Sequence, residues 1–422
     1  MNLLIQSAKI VDPASPHNGK TMDILIENGK ITEIKKTIPA GGIKKVVNAN
    51  DLHASPGWFD MQANFCDPGY EHKENLITGI KAATKGGFTG VAVMPSTNPT
   101  IYTKSQVEYI IGASRGQIVD IHPVGAISTK LEGKDMAEMF DMQNSGAVAF
   151  SDDIHPVMNA GLMHRALLYA KSFNGLIMSR CNDKTLATGS DVNEGKASVS
   201  IGIKGEPRIA EEIMLIRDLF LAQHCDARIH INSISVAGSI SLIKSARKQG
   251  VTVTVSVNGY NLCLDDSEVL SFDSNYKLSP PLRGKEDIKA LKKALAEGVI
   301  DVICSDHRPE DEESKKVEFD LATPGMIGIQ TLYPIVNMYS ELTTEQIIEK
   351  IAINPRKILG LTVPTIKEGE EANMTLFAPN EEWTFEKTHI ASPAKNTPFI
   401  GKKLKGKILG IINNDNYRAT DN

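Results

Sequence analysis

From residue 57 onward the chain repeats one unit: a short run rich in β-branched residues, a loop of Gly, Pro, Asn or Asp, and a segment with helical periodicity. The runs are GWFDMQAN, TGVAVMPS, VDIHPVGAI, GAVAFSD, GLIMSRCN, ARIHINSI, VTVTVSVN and IDVICSD. Strands that alternate with helices pair in parallel through right-handed crossovers. Eight such units predict an α/β fold with a closed (β/α)8 TIM-type barrel. A doubly wound open sheet is the competing fold.

Both ends of the chain follow a different pattern. Residues 1–54 contain LLIQSAKIVD and DILIENGKITEIKK, which read as short alternating strands with an Asn-Gly turn, and residues 362–422 contain NMTLFAPN and GKKLKGKILGI. We therefore predict a small β-sandwich built from both termini and a barrel over residues 55–361. Within the barrel, the segment AEEIMLIRDLFLAQH is an amphipathic helix with Ile213, Ile216, Leu219 and Phe220 on its apolar face.

The length, charge and cysteine content of the chain exclude several classes of function. The chain has 422 residues, a formal net charge of -5 and scattered charged residues, so neither a nucleic-acid footprint nor a membrane-binding face is expected. The start MNLLIQSAKIVD lacks the features of a secretory signal, and we expect a cytoplasmic protein. The cysteines are odd in number and show no C-x-x-C spacing, which argues against a disulfide framework.

In barrels of this type the chemistry lies at the carboxyl ends of the strands. Here those ends carry polar residues on several strands: Gln62 and Asn64, Asp152 and Asp153, Arg180, Asn232 and Ser233, and Asp306 and His307. Only the fourth and the eighth strands offer good metal ligands.

The ordered segments SPGWFDM, GGFTGVAVMPSTNP, AVAFSDD, SPPLRGKED, IDVICSDHRPE, FDLATPGMIGIQTLYPI, INPRKILGL and NTPFIGKKLKGKI span nearly the whole chain. Together they resemble the cyclic amidohydrolases, and specifically dihydroorotases of the type that associates with aspartate transcarbamoylase. The resemblance implies a metal-dependent hydrolase of a cyclic amide in pyrimidine biosynthesis, and a homodimer.

The family's metal ligands are mostly replaced. The resemblance places a first-strand His pair at Gln62 and Asn64, further ligand histidines at Arg180 and Ser233, and a ligand aspartate at Asp153. These five positions are therefore degenerate ligand positions.

At the family's catalytic and substrate-binding positions, this chain keeps some of the family's residues and replaces others. Asp306 matches the family's general base. The positions of the substrate-contacting Arg and the two substrate-contacting Asn residues hold Cys66, Ser96 and Ser279, whereas His307 matches a substrate-contacting His.

Hydrolysis of a cyclic amide near neutral pH uses a metal to lower the pKa of bound water. The amide oxygens of Gln62 and Asn64 are poor zinc ligands. We therefore expect no cofactor, with zinc only if Asp153, Asp306 and the cysteines 66, 181 and 304 form an atypical site.

Arg180 suggests how the retained aspartates are compensated. If its side chain points inward, the guanidinium replaces the charge of the metal and pairs in fork geometry with Asp153 or Asp306. The simpler alternative is that both aspartates are strand-end hydrogen-bond acceptors, and that His307 is structural.

Three functions remain open. The first is a catalytically inactive dihydroorotase-like protein with a structural or regulatory role, whose partner is aspartate transcarbamoylase or an active dihydroorotase. The second is an active cyclic amidohydrolase with an atypical metal site. The third is a small-molecule binding protein that uses the barrel mouth.

Overall fold

The computed structural model describes residues 1–43 and 45–420. The strands in this part of the chain are β1 Asn2–Ile10, β2 Thr21–Glu27, β3 Lys30–Lys35, β4 Val46–Val47, β5 His53–Pro56, β6 Trp58–Ala63, β7 Phe88–Val93, β8 Asp120–Gly125, β9 Ala149–Phe150, β10 Ile177–Arg180, β11 Val192–Asn193, β12 Gly205–Glu206, β13 Ile229–Asn232, β14 Val253–Asn258, β15 Val302–Cys304, β16 Met374–Thr384, β17 Lys403–Asn413 and β18 Asn416–Ala419.

The α-helices over the same residues are α1 Leu76–Lys85, α2 Lys104–Ser114, α3 Met139–Asn144, α4 Ala160–Ser172, α5 Lys196–Ile201, α6 Ile209–Cys225, α7 Ala237–Lys248, α8 Lys285–Ala296, α9 Glu312–Lys315, α10 Leu332–Tyr339, α11 Thr344–Ile348 and α12 Asn354–Leu359. Short 3-10 helices lie at Thr129–Leu131, Gly259–Leu262, Asp266–Ser271, Ser274–Tyr276 and Lys387–His389, and a π-helix lies at Glu349–Ile353. Among the residues described, no helix is both long and apolar enough to cross a membrane.

The central element is a parallel sheet that closes almost completely on itself. Its strand order is β6, β7, β8, β9, β10, β13, β14 and β15. The two ends of the sheet meet where the backbone N–H of Asn64 donates to the carbonyl of His307 at 2.8 Å. Every residue of β6 and β7 is buried, as expected for parallel strands covered on both faces. The predicted barrel is confirmed.

Both ends of the chain contribute to a second, β-rich sheet. It runs β3, β2, β1, β5, β16, β17 and β18, with β4 paired to β1. The predicted Asn-Gly turn joins β2 to β3, and both Asn28 (φ 51°) and Gly29 (φ 79°) are left-handed, as a tight hairpin turn requires. The domain boundaries at residues 54/55 and 361/362 stay predictions.

Helix α6 exposes more apolar surface than its sequence pattern predicts. Leu219 packs inward and is 6% exposed, but Ile213, Ile216 and Phe220 are 46%, 47% and 71% exposed. The interpretation of these residues as one core-facing group is therefore wrong for three of the four. Ile209, which is 48% exposed, extends the exposed apolar stripe by one turn.

Trp58 joins the barrel to the second sheet. Its fully buried ring lies 4.5 Å from the ring of Tyr333 in α10 and 5.4 Å from that of Phe377 in β16. The indole N–H donates to Ser55 Oγ at 2.9 Å, so the polar atom of this buried side chain is satisfied.

Trp58→Ala is expected to lower the free energy of unfolding by about 3–5 kcal/mol, because the cavity it leaves is lined by both parts of the fold. Chemical denaturation followed by circular dichroism measures this change. Trp383→Ala, at the half-buried second tryptophan, is the control and should cost less. Equal losses would contradict the role assigned to Trp58.

Candidate active site

The predicted site residues come together at the carboxyl end of the barrel. Gln62 lies in β6, Arg180 ends β10, and Asp153, Ser233 and Asp306 follow β9, β13 and β15. All five are buried, with exposures from 1% to 6%. The polar residues predicted at the strand ends therefore lie together in one region of the structure.

Several of these strand ends have a left-handed backbone. Cys66, Asp153, Ser233 and Asp306 have φ angles of 61°, 53°, 55° and 46°. Non-glycine residues adopt this region at a cost, and such residues cluster at functional sites because the surrounding structure holds them there. The mouth of the barrel thus holds four residues in a backbone conformation that is often found at functional sites.

Arg308 is the cation that joins the two aspartates. Its guanidinium forms a two-pronged ion pair with Asp153, with NH1 2.9 Å from Oδ2 and NH2 in contact with Oδ1. Its Nε donates to Asp306 Oδ1 at 3.1 Å. Burial alone would raise the pKa of Asp153, but the charge and hydrogen bonds of Arg308 hold it below its ordinary value.

Asp306 is surrounded by donors. Gln62 Nε2 donates to Oδ1 at 2.7 Å, while Asn258 Nδ2 and the Tyr260 hydroxyl donate to Oδ2 at 3.1 and 2.8 Å. Together with Arg308, these groups use both lone pairs of each carboxylate oxygen. Burial and the charge of Asp306 raise the pKa of Tyr260 well above its ordinary value, so this phenol stays a proton donor.

Arg180 points inward as predicted, but it does not form the expected fork. Its NH1 lies 3.9 Å from Asp306 Oδ2, beyond hydrogen-bonding distance, and its NH2 donates to Ser279 Oγ at 3.4 Å. The fork geometry assigned to Arg180 is therefore corrected: Arg308 occupies that role because it follows Asp306 by two residues and reaches across to Asp153.

The remaining predicted residues divide into two groups. Ser96 donates to Asp153 Oδ2 at 2.6 Å and Ser279 contacts Arg180, so both belong to the charged network. Asn64, Cys66 and His307 make structural contacts instead. Asn64 Oδ1 accepts from the Cys66 backbone N–H at 2.7 Å. His307 Nε2 lies 2.8 Å from Glu74 Oε1.

Arg308, Tyr260 and Asn258 were missed in the sequence. Asn258 ends the seventh strand, VTVTVSVN, and applying the strand-end rule to that strand would have found it. Arg308 lies inside the motif SDHRPE but has no counterpart among the expected ligands. Nothing in the spacing shows that its side chain turns back over the barrel.

Whether these residues could bind zinc depends on the side-chain atoms that are free to act as ligands. The Gln62 amide oxygen accepts from Ser233 Oγ at 3.1 Å and its nitrogen serves Asp306, so both ends of the side chain are occupied. Burial raises the pKa of the thiols of Cys66, Cys181 and Cys304, which disfavours the thiolate form that binds metal. Across residues 1–43 and 45–420, no cluster of three or more His, Cys, Asp or Glu side chains has the arrangement of a metal site. The residues at the expected ligand positions do not fit zinc.

A small cavity opens beside this network. It encloses about 90 Å³ and its lining includes Lys184, Tyr260, Ser279, Asp306 and Arg308. The lining residues come from the ends of different strands and from the two long segments after β10 and β15. The network therefore forms one wall of this pocket, whose other lining residues include Ile154, Leu278 and Met326.

Arg308→Met is expected to lower the free energy of unfolding by about 3–5 kcal/mol, because it leaves Asp153 buried without its ion-pair partner. Chemical denaturation measures this loss. Arg115→Met, at an exposed arginine at the end of α2, is the matched control and should change stability by no more than about 0.5 kcal/mol. A loss no larger than that of the control would contradict the assignment of Arg308.

Comparison with known proteins gives the family of the chain. A family model described as dihydro-orotase-like matches residues 54–239. A dihydroorotase of Syntrophus aciditrophicus is 39% identical over 416 residues, which cover 97% of each chain. A dihydroorotase of Pelotomaculum thermopropionicum is 40% identical over 414 residues, which cover 96% of each chain.

Solved structures with the same fold have much lower sequence identity. L-hydantoinase from Arthrobacter aurescens superimposes with a TM-score of 0.84 at 19% identity, over 99% of this chain and 96% of that one. Dihydropyrimidinase from Brevibacillus agri gives a TM-score of 0.80 at 21% identity, over 99% and 95%. These two likenesses support the TIM-type barrel with a β-rich companion.

The similarity to dihydroorotases corrects the expectation that no cofactor is needed. That expectation is wrong for a relative of metal-dependent zinc amidohydrolases, and the missing histidines did not justify it. The side chains at the expected ligand positions nevertheless do not fit the ion. With 39% identity to a dihydroorotase over 97% of its length, the chain belongs to the dihydroorotase-like family of cyclic amidohydrolases.

Proposed function

We propose that this protein acts in pyrimidine biosynthesis and that its barrel mouth takes dihydroorotate or a similar cyclic amide. The activity that its relatives favour is hydrolysis of the cyclic amide C–N bond. One observation carries the proposal: identity to dihydroorotases extends over nearly the whole of both chains, including the segments that build the mouth. A cytoplasmic location belongs to the same proposal.

The position of Asp306 supports a chemical role. Asp306 lines the cavity, follows the last barrel strand, β15, and has a left-handed backbone. A general base must lie within hydrogen-bonding reach of the proton it accepts. In this protein Asp306 already accepts from Gln62, Arg308, Asn258 and Tyr260. Proton transfer to Asp306 therefore requires one of these donors to move when the ligand binds.

The same observation favours a second candidate function. Since every lone pair of Asp306 is used within the protein, the mouth as it stands is suited to binding rather than to proton transfer. In this case the protein binds a ligand or a partner without turnover and has a structural or regulatory role. Aspartate transcarbamoylase and an active dihydroorotase are the partners proposed for it.

Dihydroorotate hydrolysis by the purified protein, assayed with its zinc content measured and with zinc added, tests the two candidates. If the protein is a hydrolase, Asp306→Asn should lower kcat by at least about 100-fold, the usual contribution of a general base. Asp311→Asn, at a nearby half-buried aspartate, is the control and should leave kcat unchanged. No turnover by the native protein under either condition would contradict the hydrolase and favour the non-catalytic role.

We also propose a homodimer that buries the exposed stripe of helix α6, defined as Ile209, Ile213, Ile216 and Phe220. These residues recur at i, i+4, i+7 and i+11 and share one face of a helix of 17 residues. Isologous two-fold dimers are the commonest oligomers, and two such stripes can pack against each other. The stripe is apolar along its whole length, which fits a second copy of the same helix.

Phe220→Glu is expected to convert the dimer to a monomer, because it would bury a carboxylate in an apolar contact. Sedimentation equilibrium measures the mass. Leu321→Glu is the control, since Leu321 is 70% exposed, as Phe220 is at 71%, but lies in a loop between β15 and α10. A monomeric native protein, or a dimer that survives Phe220→Glu, would contradict this interface.

A further inference from the structure

The guanidinium of Arg180 is only partly used by the protein. Its side chain is 5% exposed, and NH2 donates a long hydrogen bond of 3.4 Å to Ser279 Oγ. NH1 is buried and has no hydrogen-bond partner among the residues described. A buried donor without an acceptor costs about 1–3 kcal/mol, and more when the donor is charged. Arg180 therefore presents a donor for which this protein supplies no acceptor.

Arg180 contacts two residues in the wall of the cavity at the barrel mouth. Ser279 and Asp306, the two neighbours of Arg180, both line that cavity. Lys184, four residues after Arg180, lines it as well. A ligand in the cavity would thus touch residues that themselves contact Arg180.

The charges around the cavity do not balance. Arg180, Arg308 and Lys184 are cationic, whereas Asp153 and Asp306 are the carboxylates that face them. Arg308 is committed to both carboxylates. Lys184 thus has a second cation, Arg180, as a neighbour. One negative charge from outside would be stabilised.

Glu206 does not supply that charge. Glu206 also acts on Lys184, but its carboxylate accepts from Arg283 NH2 at 2.6 Å and from Asn182 Nδ2 at 2.8 Å. Both of its oxygens thus already have hydrogen-bond partners, and Glu206 does not line the cavity.

The position at which the resemblance implies a substrate-contacting arginine carries no positive charge in this chain. The resemblance places a substrate-contacting arginine at Cys66, and burial raises the pKa of this thiol. A thiol carries no positive charge in either protonation state, so Cys66 cannot replace the arginine's charge. Arg180, at a position where the family has a metal-ligand histidine, brings a positive charge to a different strand.

We propose that a small ligand with one carboxylate binds in this cavity, with the carboxylate between Arg180 and Lys184 and within reach of the Ser279 hydroxyl. A carboxylate matches the planar donors of a guanidinium and carries the single charge that the site lacks. This assignment rests on the ligand-binding part of the proposed function, but not on turnover. It moves anion recognition from the end of β6 to the end of β10.

The test compares dihydroorotate with dihydrouracil, the same ring without the carboxylate, by isothermal titration calorimetry on the full chain. The native protein should bind dihydroorotate at least about tenfold more tightly, the effect of one charge-assisted hydrogen bond. Lys184→Met and Arg180→Met should each remove most of this preference. Lys196→Met, at an exposed lysine in the same long segment, should retain it. Lys184 lies in a loop and its side chain is exposed, so Lys184→Met is expected to fold. The test therefore remains valid even if Arg180→Met does not fold.

The outcomes separate this assignment from the proposed function. Equal affinity for the two rings, or a preference that survives Lys184→Met, overturns the carboxylate site and leaves ring binding standing. Binding of neither ring overturns both. A preference that Lys184→Met removes, in a protein without turnover, supports the site and contradicts only the hydrolase.

Discussion

The barrel mouth depends on one electrostatic constraint: two carboxylates are buried at the ends of β9 and β15, and each requires a compensating charge. Arg308 supplies it by pairing with Asp153 in fork geometry and with Asp306 through Nε. Removing one partner of such a group leaves an uncompensated charge in a medium that solvates it poorly. The positions of Ser96, Gln62 and Tyr260 follow from this pairing, because each of them donates to one of the same two carboxylates.

The backbone adds a second requirement. Asp153, Ser233 and Asp306 each leave their strand in the left-handed region, which directs their side chains into the mouth. The side chains at Gln62, Arg180 and Ser233 differ from those that the family resemblance implies. The chain therefore keeps the frame of a cyclic amidohydrolase around a different set of contacts, and fold and family membership alone do not decide its chemistry.

Much of this arrangement could be predicted from the sequence. The alternation of strand and helix gave the barrel, and the strand-end rule placed Gln62, Asp153, Arg180 and Asp306 in one region. Arg308 could not be predicted in the same way, because its role depends on a side chain that crosses from one strand end to another, and such a path is set by packing rather than by local pattern. The exposed stripe of α6 was missed for a related reason: periodicity shows that residues share a face but not which way that face points. The prediction of no cofactor is wrong, because the loss of ligand residues does not outweigh 39% identity to a dihydroorotase over 97% of the chain.

The most direct test of this account is a crystal structure of the protein grown with zinc present. The account predicts that Arg308 spans Asp153 and Asp306, with NH1 and NH2 on Asp153 and Nε on Asp306. A structure in which Arg308 is turned away and both carboxylates face a bound ion would contradict it, and would show that the mouth rearranges into a metal site.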